Sequence, residues 1–408
     1  MPSDRNELIE RAKNALQKKG AFGEDFDLKT YSEVSGDIPV FNAPSELPSS
    51  IKEAMLKTGV NPSAEGNDGS MLVIDNSIVL NNSSDDGFEL MDIRDALKKY
   101  DWLKEYSWNA VSVDADKYTA ATYLNDSPGY FIRAFAGKKV KLPVQTCIMI
   151  GHNTAAQTIH NIIIVEEGAS IEIISGCTSG SDVDTALHMG ISEMYIKKDA
   201  SLKFTMIHNW AENIGVRPRT GIVVEENGTF INNYVILKKV KSVQTYPTAK
   251  LVGRGAVAQF NTVAIAQPGA ELDLGSRAIL AAPECRAEII SRSITVGGKV
   301  INRGTLEGDA KDIKAHLECR GLILGDSGEN IAIPELDARV ADVEMTHEAS
   351  LGKVAQDQVE YIMSRGLTED EAVGMIVRGF LEVGIRGIPD DIKAEIDEAI
   401  RQSDLATG

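Results

Sequence analysis

Cys319, His347 and Glu348 bring together three side chains that bind metals in different ways. A thiolate is soft, an imidazole intermediate and a carboxylate hard, and of the three only the thiolate also accepts sulfane sulfur. Together they point to iron and sulfur chemistry in preference to hydrolysis. Between Cys319 and His347 lie 27 residues, and no C-x-x-C motif occurs, so a compact metal knuckle is not expected. His347 and Glu348 are neighbours. On a strand they would face opposite sides, and only a strand end or a turn would let both reach one metal. Cys319 is placed at the end of a predicted strand with Arg320 beside it. A neighbouring cation lowers a thiol pKa, although strand alternation aims Arg320 the other way.

Cys177 follows Gly176 and precedes Thr178-Ser179-Gly180, which predicts a turn that presents the thiol away from its strand. Cys147 and Cys285 lie in apolar runs and read as small buried hydrophobes. Four cysteines in 408 residues are too few and too scattered for a disulfide framework, so free thiols in a reducing compartment are expected. No Gly-x-x-x-x-Gly-Lys-Ser/Thr is present, so the chain is not expected to hydrolyse ATP by a P-loop. No Gly-x-Ser-x-Gly elbow occurs either. Gly253-Arg254-Gly255 opens no helix that could hold a pyrophosphate, and it reads as a turn. A net charge of −18 disfavours nucleic acid as a partner, because phosphate binding needs clustered Lys and Arg. With no apolar run of about 18 residues and no signal-peptide pattern at the start, a cytoplasmic protein that does not enter membranes is expected.

The elements that must position these side chains fall into three expected regions. Residues 1–139 mix helix and loop. Leu8, Ile9, Ala12, Ala15 and Leu16 share one helical face, with Asp4 as N-cap and Gly20 as stop. A second helical pattern runs from Leu90 to Lys104, and Trp102, Tyr106 and Trp108 at its end form a docking patch for the next region. Residues 140–350 are strand-rich, with a recurring phrase of a polar turn followed by a strand. Its turn residues at 168, 199, 228 and 269 are spaced by 31, 29 and 41, the loose period of a solenoid. Alternation such as Leu202, Phe204 and Met206 gives each strand an inner and an outer face, and the near-absence of helical pattern disfavours a βαβ sheet. Residues 351–408 are helical. Gly366 ends one helix, and Thr368 with Glu371 forms a capping box for the next. Val373, Ile376, Val377, Phe380 and Leu381 then make one apolar face. A third helix after Ile388-Pro389-Asp390 carries Ile392, Ile396, Ala399 and Ile400. The apolar stripe either folds back on the chain's own strands or meets a partner.

The segments Ala315-His316-Leu317-Glu318-Cys319, Ile333-Pro334-Glu335-Leu336, Thr346-His347-Glu348-Ala349-Ser350-Leu351-Gly352-Lys353 and Tyr361-Ile362-Met363-Ser364-Arg365-Gly366-Leu367-Thr368-Glu369-Asp370-Glu371-Ala372 resemble, in order and spacing, the SufB/SufD family of iron-sulfur cluster assembly scaffolds. The likeness extends upstream through Glu172-Ile173-Ile174-Ser175-Gly176-Cys177, Leu187-His188-Met189-Gly190-Ile191-Ser192-Glu193 and His208-Asn209-Trp210. It implies a mainly β fold: a right-handed parallel β-helix with an N-terminal mixed α/β region and a C-terminal helical domain. It implies Cys319 as sulfur acceptor and, with His347 and Glu348, metal ligand, Cys177 as the place where sulfur is taken up, and His188 and His208 along a transfer path inside the β-helix. Glu348 marks the SufB type, and the chain is similar to minimal archaeal members. Thr346 stands where some bacterial members carry an acid, and His208 where they carry Gln.

The resemblance further implies a transient iron-sulfur cluster, with a flavin left open, and a SufC-like ABC ATPase docking on the helix that carries Glu369, Val373, Ile376, Val377 and Phe380. A homodimer joined at the β-helix ends and apoprotein acceptors complete the picture. Two alternatives come from other classes, a carbohydrate-active β-helix lyase or hydrolase and a metal-free structural solenoid.

Overall fold

The computed structural model describes residues 5–34, 38–63, 66–83, 86–324 and 327–381. Asp4 and the third C-terminal helix pattern, with Ile392, Ile396, Ala399 and Ile400, lie outside them.

The recurring turn phrase sets the architecture. Gly168, Asp199, Asn227 and Gly269 all have positive φ, the left-handed conformation that reverses the chain between one strand and the next. Each reversal feeds a strand that pairs in parallel with the strand one coil earlier, giving a parallel β-solenoid of about eight turns. One sheet runs through Gly69–Ile74, Val144–Ile150, Ser170–Ser179, Ser201–Asn209, Thr229–Ile236, Val257–Ala266, Arg286–Thr295, Ile313–Ile323 and Val343–Lys353. The other runs from Tyr130–Ala134 through Ala156–Val165 and Thr185–Ile196 to Glu271–Leu280, Lys299–Gly308 and Glu329–Ala338. Two of its coils are interrupted. Asn213–Val216 and Arg219–Val224 are separated by Arg217-Pro218, and Ser242–Thr245 and Thr248–Leu251 by Tyr246-Pro247, since proline cannot donate to a ladder. Alternate residues such as Ile171, Leu202, Phe230, Phe260, Leu272, Ile289 and Leu317 turn inward and form one continuous core.

The sheets begin before residue 140, because Gly69–Ile74 and Tyr130–Ala134 already belong to them. The helix expected from Leu90 is shorter than its pattern. Phe88–Asp92 is a strand antiparallel to Tyr130–Ala134, and helix begins only at Ile93, where the Asp92 side chain caps it. With the antiparallel strand Ser77–Ser83 ending the other sheet, these two strands close the first end of the solenoid.

The described helices are α1 (Arg5–Ala15), α2 (Ser49–Leu56), α3 (Ile93–Lys99), α4 (Lys117–Leu124), α5 (Gln356–Met363) and α6 (Glu369–Leu381). The N-terminal region is fixed to the outer face by Glu193. This buried carboxylate accepts backbone N–H groups from Trp108, Asn109, Ala110 and Val111 at 2.6–3.2 Å, and His160 Nε2 lies 2.9 Å away. Tyr106 packs edge-on to Tyr195 and Trp108 stacks on His160, so the aromatic patch docks this region as its composition predicts.

At the other end, Gly366 has φ +97 and the Thr368–Glu371 box caps α6 reciprocally. Val377 and Leu381 of α6 are buried with Val373 and Phe380 against Ile207, Val235, Val263 and Ile294 on the outer face of the first sheet. The stripe therefore folds back on the chain's own strands.

Candidate functional site

Register decides what the two sulfur-bearing positions share. Cys177 lies within the strand Ser170–Ser179 and not at a turn, so alternation aims its thiol into the lumen. Cys319 lies inside Ile313–Ile323, not at its end, and it too is part of the inner core. Five strand steps separate them, roughly 24 Å at the ordinary interstrand spacing. The inward row through Cys319 reads Ser175, Met206, Tyr234, Thr262, Ser291, Cys319 and Ala349, each residue directly beside the next. The adjacent row reads Cys177, His208, Ile236, Ala264, Ser293 and Gly321. Both thiols thus face one lumen, joined by two parallel rows of mostly small or polar side chains.

Around Cys177 the lumen is polar and buried. Tyr234 Oη lies 3.0 Å from His208 Nδ1, and the Trp210 ring sits between the rings of His208 and His188, with centroids 5.7 and 5.0 Å away. His188 Nδ1 is 2.8 Å from Gln157 Oε1. His208 Nε2 and Trp210 Nε1 have no hydrogen-bond partner among the described residues. Burial pushes both imidazoles down to about 3, His188 repelling His208 as a smaller cause, and raises the Cys177 thiol well above its ordinary value. All three are therefore neutral at pH 7.

Around Cys319 the inner face carries an amide and hydroxyl network. Ser291 Oγ donates to Asn302 Oδ1 at 2.6 Å, and Asn302 Nδ2 donates to Ser293 Oγ and Asn330 Oδ1 at 2.8 and 3.0 Å. The Cys319 side chain is fully buried in the chain. Its thiol is pushed up to about 11, first by burial and then by the Glu318 charge, with Arg292 opposing. As strand alternation predicts, Arg320 points away from the thiol to the outer surface, where its guanidinium meets Glu318 and Glu348 at 3.0 Å each.

His347 and Glu348 lie in the middle of Val343–Lys353, neither at a strand end nor in a turn. His347 is beside Leu317 and so shares the inward face with Cys319, one strand over and two positions back, on the order of 8 Å between Cα atoms. Glu348 is beside Glu318 on the outer face. The three do not converge, and no group of three His, Cys, Asp or Glu side chains among the described residues is close enough to hold a metal. This strand is the last of its sheet, and most of its residues are exposed. Leu336 and Leu351 of the final coil are 39% and 41% exposed. His347 and Glu348 therefore stand at an open end.

On α6 the residues expected to meet a partner divide. Val377 is fully covered by the solenoid, with Val373 and Phe380 packed beside it, and Ile376 is half-buried, whereas Glu369 is exposed. Met375, absent from the sequence expectation, is 48% exposed. Sequence reasoning also passed over Gln157, Tyr234, Ser291, Asn302 and Asn330. The signal for the last two was a polar residue repeated 28 positions apart at an inward place in otherwise apolar strands.

The fold is a parallel β-solenoid with an amphipathic helix folded on one sheet and two buried thiols along one lumen. Residues 148–380 match the SufBD core domain of the SUF system for FeS cluster assembly. The chain is 42% identical over 403 residues to an iron-sulfur cluster assembly SufBD family protein of Methanothermobacter thermautotrophicus, covering 97% of this chain and 98% of that one. It is 47% identical over 353 residues to such a protein of Archaeoglobus fulgidus, with 86% and 95% covered. With the iron-sulfur cluster assembly protein SufB of Bacillus subtilis it shares 31% over 368 residues, with 87% and 78% covered. The chain belongs to the SufBD family of iron-sulfur cluster assembly proteins. That membership takes the place of the carbohydrate-enzyme alternative. No described helix is long and apolar enough to cross a membrane.

Proposed function

We propose that this chain is a SufB-type scaffold: it accepts sulfur and iron, builds a nascent cluster with a SufC-like ABC ATPase, and passes it to apoproteins. The observation that carries the reading is the shared lumen of Cys177 and Cys319. Between sulfur taken up at Cys177 and the thiol of Cys319 run two adjacent inward rows of side chains, one holding each cysteine. The Cys319 thiol supplies the soft ligand that a nascent cluster needs, and His347 shares its inward face.

A second copy docked on the open end would cover Leu336 and Leu351 and bring two Cys319–His347 sets together about a two-fold axis. Glu348 would join by releasing Arg320. The ATPase would dock on the outer side of α6, around Glu369 and Met375. Reaching Val373, Val377 or Phe380 would require lifting the helix from the sheet, which is a route for coupling hydrolysis to the scaffold. ATP hydrolysis belongs to that partner.

The test is anaerobic reconstitution of native protein and Cys319→Ala with iron and sulfide, read by absorbance and iron content. A cluster held by the native protein and lost in the variant is the expected result. Equal iron in both would remove Cys319 from the centre.

A further inference from the structure

Gln157 faces the lumen beside His188 and is almost wholly buried. Its amide orientation is not free. Nε2 lies 2.8 Å from the Asp75 carbonyl and 3.0 Å from the Met149 carbonyl, and two carbonyl acceptors accept only the NH₂ end. Oε1 must then be the atom 2.8 Å from His188 Nδ1, and an amide oxygen can only accept. Neutral His188 therefore carries its proton on Nδ1, and its Nε2 is a bare lone pair.

Among the described residues no donor is paired with that nitrogen. A Cβ at Gly190 would lie 2.7 Å from His188 Nε2, so the absence of a side chain there keeps space in front of the nitrogen. The space belongs to a lumen cavity of about 30 Å³ bordered by His188, Gly190, Ser192, Asn161 and Tyr234, room for one water-sized molecule. The carbonyl that orients Gln157 is itself held in place. Asp75 has φ +49, and its buried carboxylate accepts Gly151 N–H at 2.8 Å and meets His152 Nδ1 at 2.5 Å.

We infer that Gln157 is a positioning residue that commits His188 to the Nδ1–H tautomer, so that Nε2 accepts a hydrogen bond from a small S–H species, hydrogen sulfide or a hydropersulfide, resting in this cavity. The ligand class rests on the sulfur-handling reading above, whereas the tautomer assignment stands on geometry alone. No bond to sulfur is made or broken here. The site holds an S–H donor by one hydrogen bond, in the space that a single water would otherwise fill.

The experiment uses the full chain with ¹⁵N-labelled histidine, long-range proton–nitrogen spectra at pH 7, and sodium sulfide added anaerobically. His188 signals are assigned by their loss in His188→Gln. The expected result is a protonated Nδ1 and a bare Nε2 in the native protein, a shift of Nε2 alone on adding sulfide, and a move of the proton toward Nε2 in Gln157→Met. Sulfide should then bind roughly tenfold more weakly to that variant, the factor set by a hydrogen bond of about 1.4 kcal/mol. A proton on Nε2 in the native protein overturns the assignment even if Gln157→Met fails to fold. An unchanged tautomer in a folded Gln157→Met removes Gln157 from the role, and a His188 signal that sulfide does not move removes the ligand. If sulfide shifts His188 while Cys319→Ala keeps its iron, the scaffold reading fails and this site stands.

Discussion

The two ends of the solenoid are built to opposite rules. At the first end an antiparallel strand caps each sheet, and Glu193 fastens the N-terminal region through four backbone N–H groups and His160. At the last end the strand Val343–Lys353 has one neighbour, exposed leucines and surface ion pairs. Uncovered strand edges invite pairing with other chains, and proteins ordinarily blunt them. One edge is left uncovered beside Cys319 while the other end is closed completely, so the tightly held contacts lie at one end and the unpaired strand edge at the other.

The difference is largest in what a single substitution should cost. Glu193→Ala strips a buried carboxylate from its donors, and urea unfolding should show a loss of about 3–5 kcal/mol. A change below 1 kcal/mol would mean that the clamp contributes little. Next comes access. Both thiols are buried, but Cys319 sits one strand from the open end, so a maleimide probe should label it roughly a hundredfold faster than Cys177 in the folded protein, through local opening of the final coil. Because the Cys319 thiol lies at about 11, its labelling rate should rise about tenfold per pH unit from 7 to 10. A flat profile would break that account.

The interior of the closed half should be acid-sensitive. His188 and His208 are held at about 3, below the ordinary value near 6.5, so the unfolded chain binds more protons between those limits. Their contribution is complete above about pH 6.5 and is lost as pH falls toward 3, amounting to about 2 kcal/mol per imidazole at pH 5. His188→Gln should flatten the fall in stability between pH 7 and 5, and an unaltered slope would contradict the neutral, buried imidazole. The smallest effect belongs to the open end. Arg320→Ala removes surface ion pairs with Glu348 and Glu318, and urea unfolding should show a loss of less than about 1 kcal/mol.

Much of the frame was legible because the turn phrase obeys a local rule. Gly168, Asp199 and Gly269 occupy positive-φ positions, and those residue types betray themselves in sequence. The alternation of Leu202 and Phe204 gave the inward face, and Thr368 with Glu371 gave the start of α6. What could not be read depended on register. That Cys177 sits beside His208, that Ser291 sits beside Cys319, and that Glu348 turns toward Arg320 all follow from which residue of one coil meets which of the next. A slip of one position would invert each of them. The short strand at Phe88–Asp92 escaped for a related reason, since its apolar spacing fits a helix until its partner Tyr130–Ala134 is known.

The coil-by-coil pairing also orders events during synthesis. Each coil needs only the one before it, as Leu317 needs Ile289 and His347 needs Leu317, so structure can grow behind the ribosome from the capped end. The strand carrying His347 and Glu348 is the last of the described strands to leave. A chain still being made can close its lumen around Cys177 while Cys319 still lacks the neighbouring strand, so the two halves of one lumen are completed at different times.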